Sequence, residues 1–122
     1  KKYEINSVTL KDIFLKNTNN YQEIYKIDGE GTQCIFLKPY IEVLSEKKAI
    51  VLLELDDPKY MAKFNMTNNE MLKLFLKFNY TAIWLDHREP NEILNVNFLK
   101  PSMDKNSFLI LLPKNFFDKY SK

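Results

Sequence analysis

The sequence predicts an α/β domain with an open, mostly parallel sheet, one antiparallel strand near the C-terminus, and helices on both faces. Three observations predict it. "AIVLLEL", residues 49–55, is an unbroken apolar run flanked by charge, as expected of a central strand covered on both sides. "TNNEMLKLFLKFN" carries Met71, Leu74, Phe75 and Phe78 at helical spacing behind a capping box of Thr67 and Glu70. Strand-like and helix-like stretches alternate up to "YTAIWLD" and "NSFLILL", which have no helix between them, so one of those two runs against the rest.

Taken in order, "YEINSVTL" alternates enough to be a strand or an extended lead-in. "TLKDIFLKN" reads as a short helix with Thr9 as N-cap and Asp12 three residues on. "YQEIYKID" is a strand of β-formers running into the only two glycines, Gly29 and Gly31. "TQCIFLK" follows as a helix, and Pro39, well tolerated in a first helical turn, opens a second one, "PYIEVLSEKK". The central strand, the capped helix and the last two strands complete the chain. It shows no repeat, no low-complexity linker and no second domain.

Composition narrows the function classes. A length of 122 residues is that of about one domain, and 45% hydrophobic with 14% aromatic residues is enough to build a core. A net charge of +2 gives no electrostatic preference for nucleic acid or an anionic membrane. Arg88 is the one arginine, and lysine lacks the fork that reads guanine edges. No apolar run approaches the ~20 residues that span a bilayer. The lone Cys34 lies in the apolar run "CIFL" and reads as a small buried hydrophobe. These features, and a Lys-Lys start with no signal-peptide pattern, give a cytoplasmic expectation and suggest a piece of something longer.

The stretch "KIDGEGTQ" concentrates both glycines around Glu30. Glycine belongs where the backbone needs a positive φ or where another group must come close. A calcium loop is the tempting reading, because Asp28, Glu30 and Gly31 match its centre. That loop also needs a carboxylate first and a glutamate twelfth, and here those places hold Lys26 and Leu37, so no metal is expected. Two readings remain. Asp28 and Glu30 could simply cap the following helix. Alternatively, the turn closes a strand at the rim of a crevice, where open α/β sheets bind ligands. Glu54, ending the next strand, would then share that rim and make a base-and-orienter pair with Asp28.

Together, "SVTLKDIFLKN", "YQEIYKIDGEGTQCIFLK", "AIVLLELDD" and "FNYTAIWL" resemble the C-terminal half of the FkbM-type S-adenosylmethionine-dependent methyltransferases. Thr9, Leu10, Asp12, Lys26, Ile27, Asp28, Glu30, Gly31, Glu54 and Tyr80 carry the resemblance, which covers essentially the whole chain. Lys11, Gly29, Gln33 and Asn79 depart from the family's pattern. The resemblance implies that residues 1–122 are a single partial domain, the C-terminal half of a Rossmann-like sheet. S-adenosyl-L-methionine would be held mainly by a glycine-rich loop upstream, since both glycines of this chain are spent on the acidic turn and no G-x-G-x-x-G loop occurs here. It also implies O-methylation of a sugar or other small hydroxylated metabolite, by in-line attack of a substrate oxygen. Asp28 would be base or orienter, Glu30 a second catalytic candidate, and Glu54 a substrate-binding acid.

The rival expectation is a non-catalytic interaction domain. In either case the strand from Glu23 to Asp28 would present an edge that pairs with the missing half or with another chain. His87, the only histidine, and Arg88 fall in the polar loop "DHREPNE" and read as solvated residues, with Arg88 able to receive an anionic group. Phe116, Phe117 and Tyr120 read as a terminal segment docking on the core.

Overall fold

The computed structural model describes residues 4, 7, 9–16, 21–86, 93–105 and 107–116. His87, Arg88, Phe117 and Tyr120 lie outside these, as do residues 3, 5, 6 and 8 of the segment 3–10 read as a strand or lead-in. The elements are α1 (Leu10–Phe14), β1 (Ile24–Ile27), α2 (Gln33–Phe36), α3 (Ile41–Glu46), β2 (Ile50–Leu55), α4 (Pro58–Ala62), α5 (Asn68–Lys77), β3 (Tyr80–Asp86), β4 (Ile93–Val96) and β5 (Ser107–Pro113). Short 3-10 turns at Lys38–Tyr40 and Pro101–Met103 precede α3 and β5.

The helix starts follow their caps. Asp12 N–H donates to the Thr9 hydroxyl at 3.1 Å, and Glu70 N–H to that of Thr67 at 3.1 Å. Pro39 lies inside a 3-10 turn that joins α2 to α3, so two short helices stack where one would have kinked. Lys48 (φ 57) and Asn79 (φ 66) close α3 and α5 in the left-handed region and turn the chain into β2 and β3.

The sheet is mixed and mostly antiparallel, which corrects the parallel expectation. Its order is β1-β2-β5-β3-β4, and only the β1–β2 pairing is parallel. β5 runs against both β2 and β3, so β1, β2 and β3 still point the same way. The reason is insertion. The last strand enters between β2 and β3, where a parallel sheet would have set them side by side, and β4 then adds an antiparallel partner to β3.

Helices on both faces is a second correction. Every strand residue of the buried core lies on one side of the sheet: Ile27, Val51, Leu53, Leu55, Tyr80, Ala82, Trp84, Leu109 and Leu111. All five helices feed that same cluster, through Phe14, Cys34, Ile41, Leu44, Met61, Met71, Leu72 and Phe75. Phe14 meets Tyr25 edge-on at 5.1 Å, and Phe75 meets Tyr80 edge-on at 5.3 Å. The opposite face carries Ile50, Leu52, Phe108, Ile110, Ile83 and Leu85, all half-buried, and Leu112, which is buried; none of them is in the core cluster. Among the described residues the architecture is thus two layers, helices on sheet.

Polar groups inside the core are paired. The Tyr80 hydroxyl donates to the Ala49 carbonyl at 2.7 Å, joining the start of β3 to that of β2. The Trp84 indole N–H reaches the Met103 carbonyl at 3.1 Å and the Ser107 hydroxyl at 3.0 Å, which fixes the approach to β5. Among the described residues no buried side-chain nitrogen or oxygen lacks a partner.

Candidate functional site

The site lies where β1 and β2, the two parallel neighbours, come to their carboxyl ends. Chain leaving β1 passes Asp28 and turns sharply through 29–32 into α2. Glu30 (φ 49) and Gly31 (φ 92) are both left-handed, and the Thr32 N–H closes the turn on the Gly29 carbonyl at 3.0 Å. Gly31 satisfies both reasons for a glycine. Its φ is unfavourable for an L side chain, and a Cβ there would lie 2.7 Å from the Tyr60 carbonyl oxygen of α4. A Cβ built on Gly29 would lie 2.8 Å from the side-chain oxygens of Gln33 and Thr32 and 3.1 Å from the Gln33 backbone nitrogen.

What clamps the turn is Asp56, a residue that sequence reasoning passed over as flanking charge. It follows β2, is buried, and its Oδ2 accepts from Gly31 N–H at 2.8 Å and from Gln33 Nε2 at 2.6 Å. Gln33 in turn accepts the Gly31 N–H on its Oε1 at 2.9 Å. An acid at position 33 would have set a second carboxylate against Asp56, so the amide is what this buried triangle requires. Asn68 steadies the same corner from α5, donating to the Asp56 carbonyl at 2.8 Å and to Asp104 at 2.7 Å. Asp57, next in sequence, caps α4 at 3.0 Å with Pro58 as first helical residue. The Cys34 thiol is buried, donates to the Gly31 carbonyl at 2.9 Å, and has its pKa raised by burial.

Around this clamp, Asp28, Glu54 and Asp56 gather one carboxylate oxygen each within 4.8 Å of one another, Asp28 exposed, Glu54 half-buried and Asp56 buried. The trio has the donor set and spacing that could hold a hard cation. Glu54 is the perturbed member. Its pKa rises from 4.5 to about 7, first through its hydrogen bond with Asp28, then through burial and repulsion from Asp28 and Asp56, with Lys26 opposing. Glu54 therefore holds its proton up to near neutral pH and hydrogen-bonds Asp28 across the two strand ends.

Of the expected site residues, Asp28 and Glu54 are brought together. Glu30 is exposed at the tip of the turn and does not join the trio. Asp56 could have been found from the doubled acid "DD" before Pro58: one Asp caps a helix that proline begins, which leaves the other free to point back. Beside Asp28 a cavity of about 260 Å³ opens between α1, β1 and α2, walled by Phe14, Tyr25, Ile27 and Phe36. Lys26 and Asp28 also line it, so an apolar wall is joined by one base and one acid.

No family model, curated protein or solved structure matches the chain. Among the described residues, no helix is long and apolar enough to cross a membrane.

Proposed function

We propose that this chain supplies the acceptor side of an S-adenosylmethionine-dependent O-methyltransferase, with the Asp28–Glu54 pair taking the proton of a hydroxyl on a sugar or other small metabolite. The observation that carries the reading is that pair: two carboxyls hydrogen-bonded to each other on adjacent parallel strand ends, with the Glu54 carboxyl pushed up to about 7. A substrate hydroxyl lodged over the cavity at Asp28 would donate to the carboxylate. As its oxygen becomes nucleophilic, its proton passes to the pair, and Lys26 limits the charge that accumulates.

The residues described do not fit the methyl donor. The one glycine turn is filled by Tyr60, Gln33 and Thr32 and offers no open cradle for an adenosyl group. The donor therefore enters none of these steps, and its binding loop is expected in another segment.

In a methyl-transfer assay against a panel of sugars and small alcohols, Asp28→Asn and Glu54→Gln should each lower kcat by ~10²-fold or more while KM changes little. Turnover unchanged in both variants would remove the pair from the chemistry. The second reading, a non-catalytic interaction domain, is favoured by one feature: β1 is an edge strand, paired on one side only among the described residues.

A further inference from the structure

We propose that β1 is the contact surface of a homodimer, in which two copies pair antiparallel along this strand and extend the sheet across a twofold axis. This stands apart from the catalytic reading. The Glu23 carbonyl accepts from Ile50 N–H at 2.9 Å, so residues 23, 25 and 27 turn their backbone groups towards β2. Ile24 and Lys26, between them, turn theirs outward, and no described residue pairs with those groups.

The surroundings of the edge suit a second copy. Ile24 is 60% exposed, and Ile13 (37%) and Leu15 (48%) on α1 and Tyr21 (79%) before β1 are open as well. A groove of about 410 Å³ runs between α1 and β1, lined by Asp12, Ile13, Lys16, Glu23, Ile24 and Tyr25. Glu23 is already committed within its own chain, to Lys47 at 2.8 Å and to the Tyr25 hydroxyl. It is therefore not left as a bare acid facing the partner.

Register follows from parity and charge. In an antiparallel pair, residues directly opposite share a face and their outward groups must meet. Placing Ile24 opposite Lys26 of the second copy meets both conditions twice about the axis and gives four main-chain hydrogen bonds using only the outward groups of these residues. Tyr25 then faces its own copy across the dyad. A shift of two residues one way sets Lys26 against Lys26 and opposes like charges, and a shift of two the other way sets Ile24 against Ile24. We place the pair in the first register, which the charge variants at Ile24 separate from the last. The pairing is isologous and closes at two copies.

The pairing scheme dictates its own test by sedimentation velocity and light scattering on the purified chain at tens of micromolar. The native chain should show twice its 14.6 kDa mass. Ile24→Lys sets lysine opposite lysine twice and should give monomers, whereas Ile24→Glu sets glutamate opposite lysine twice and should keep the dimer. Both changes are at an exposed position outside the core, and circular dichroism checks that both variants are folded. Amide exchange at Ile24 and Lys26 should be slow in the native chain and fast in Ile24→Lys. A monomeric native chain, equal loss of the dimer in both variants, or open-ended polymers from β1 pairing with β4 of another copy would overturn the proposal.

Discussion

Glu54→Gln should stabilise the protein above pH 7 and leave it almost unchanged below pH 4.5. In the folded chain the Glu54 carboxyl holds its proton up to about 7, while the ordinary value is 4.5. Between those values the folded state binds more protons than the unfolded state, so stability falls as pH rises through the window. Above it the penalty is complete. At ~1.4 kcal/mol per tenfold change in proton affinity, the span from 4.5 to about 7 sets an upper bound of ~3.4 kcal/mol. Glu54 is half-buried on an open rim with Lys26 nearby, so solvent screening brings the expected figure to ~1–2 kcal/mol. Glutamine keeps the donor towards Asp28 and removes the charge. Urea unfolding of the native chain and the variant at pH 4.5, 6 and 8.5, followed by fluorescence of Trp84, reads the difference directly. A gap that does not widen with pH, or a variant less stable than the native chain at pH 8.5, would refute the raised proton affinity of Glu54. If stability rises while turnover is lost, the acid is held there at the expense of the fold, as expected of a working group.

Gly31→Ala should destabilise the fold by ~2–4 kcal/mol, because its φ of 92 and the Tyr60 carbonyl 2.7 Å away both oppose a Cβ, and thermal melting measures the loss. Gly29→Ala needs no left-handed φ and meets two side-chain tips at 2.8 Å and the Gln33 backbone nitrogen at 3.1 Å, so it should cost about 1–2 kcal/mol, and a larger loss at Gly29 than at Gly31 would contradict this account of the turn. Tyr80→Phe leaves the Ala49 carbonyl without its donor in the core and should lower stability by ~1–2 kcal/mol with an unchanged denaturant slope.

Local chemistry was legible in the sequence, and the placing of strands beside one another was not. The Thr9 and Thr67 caps, the two short helices around Pro39 and the strands at 50–55, 80–86 and 107–113 all follow from patterns a few residues long. Asp28 and Glu54 could be paired because two parallel strands end at the same height, which an apolar run closing on an acid announces. Which neighbour β5 chooses leaves no trace in periodicity, because β2 and β3 offer it equally apolar flanks. β4 is four residues long with only Val96 partly shielded, too short and too exposed for alternation to reveal it. β2 reads as apolar on both faces, which suggested two layers of helices. Its second face is only half-buried, so composition recorded apolarity without recording what covers it. Asp56 was hidden for another reason: its partners are a main-chain N–H and an amide more than twenty positions away, and neither carries a motif.

The latest strand to be synthesised, of those described, is also the one that joins the others. Without Ser107–Pro113 the remaining strands form two separate ribbons, β1 with β2 and β3 with β4, sharing no ladder. Ribbons of two strands scarcely persist alone in water. A growing polypeptide therefore has no stable intermediate platform on which its helices could settle, and assembly waits until residue 113 is free to thread between its neighbours. Nascent fragments stopping short of that point would stay open to proteases, and the domain would be acquired all at once.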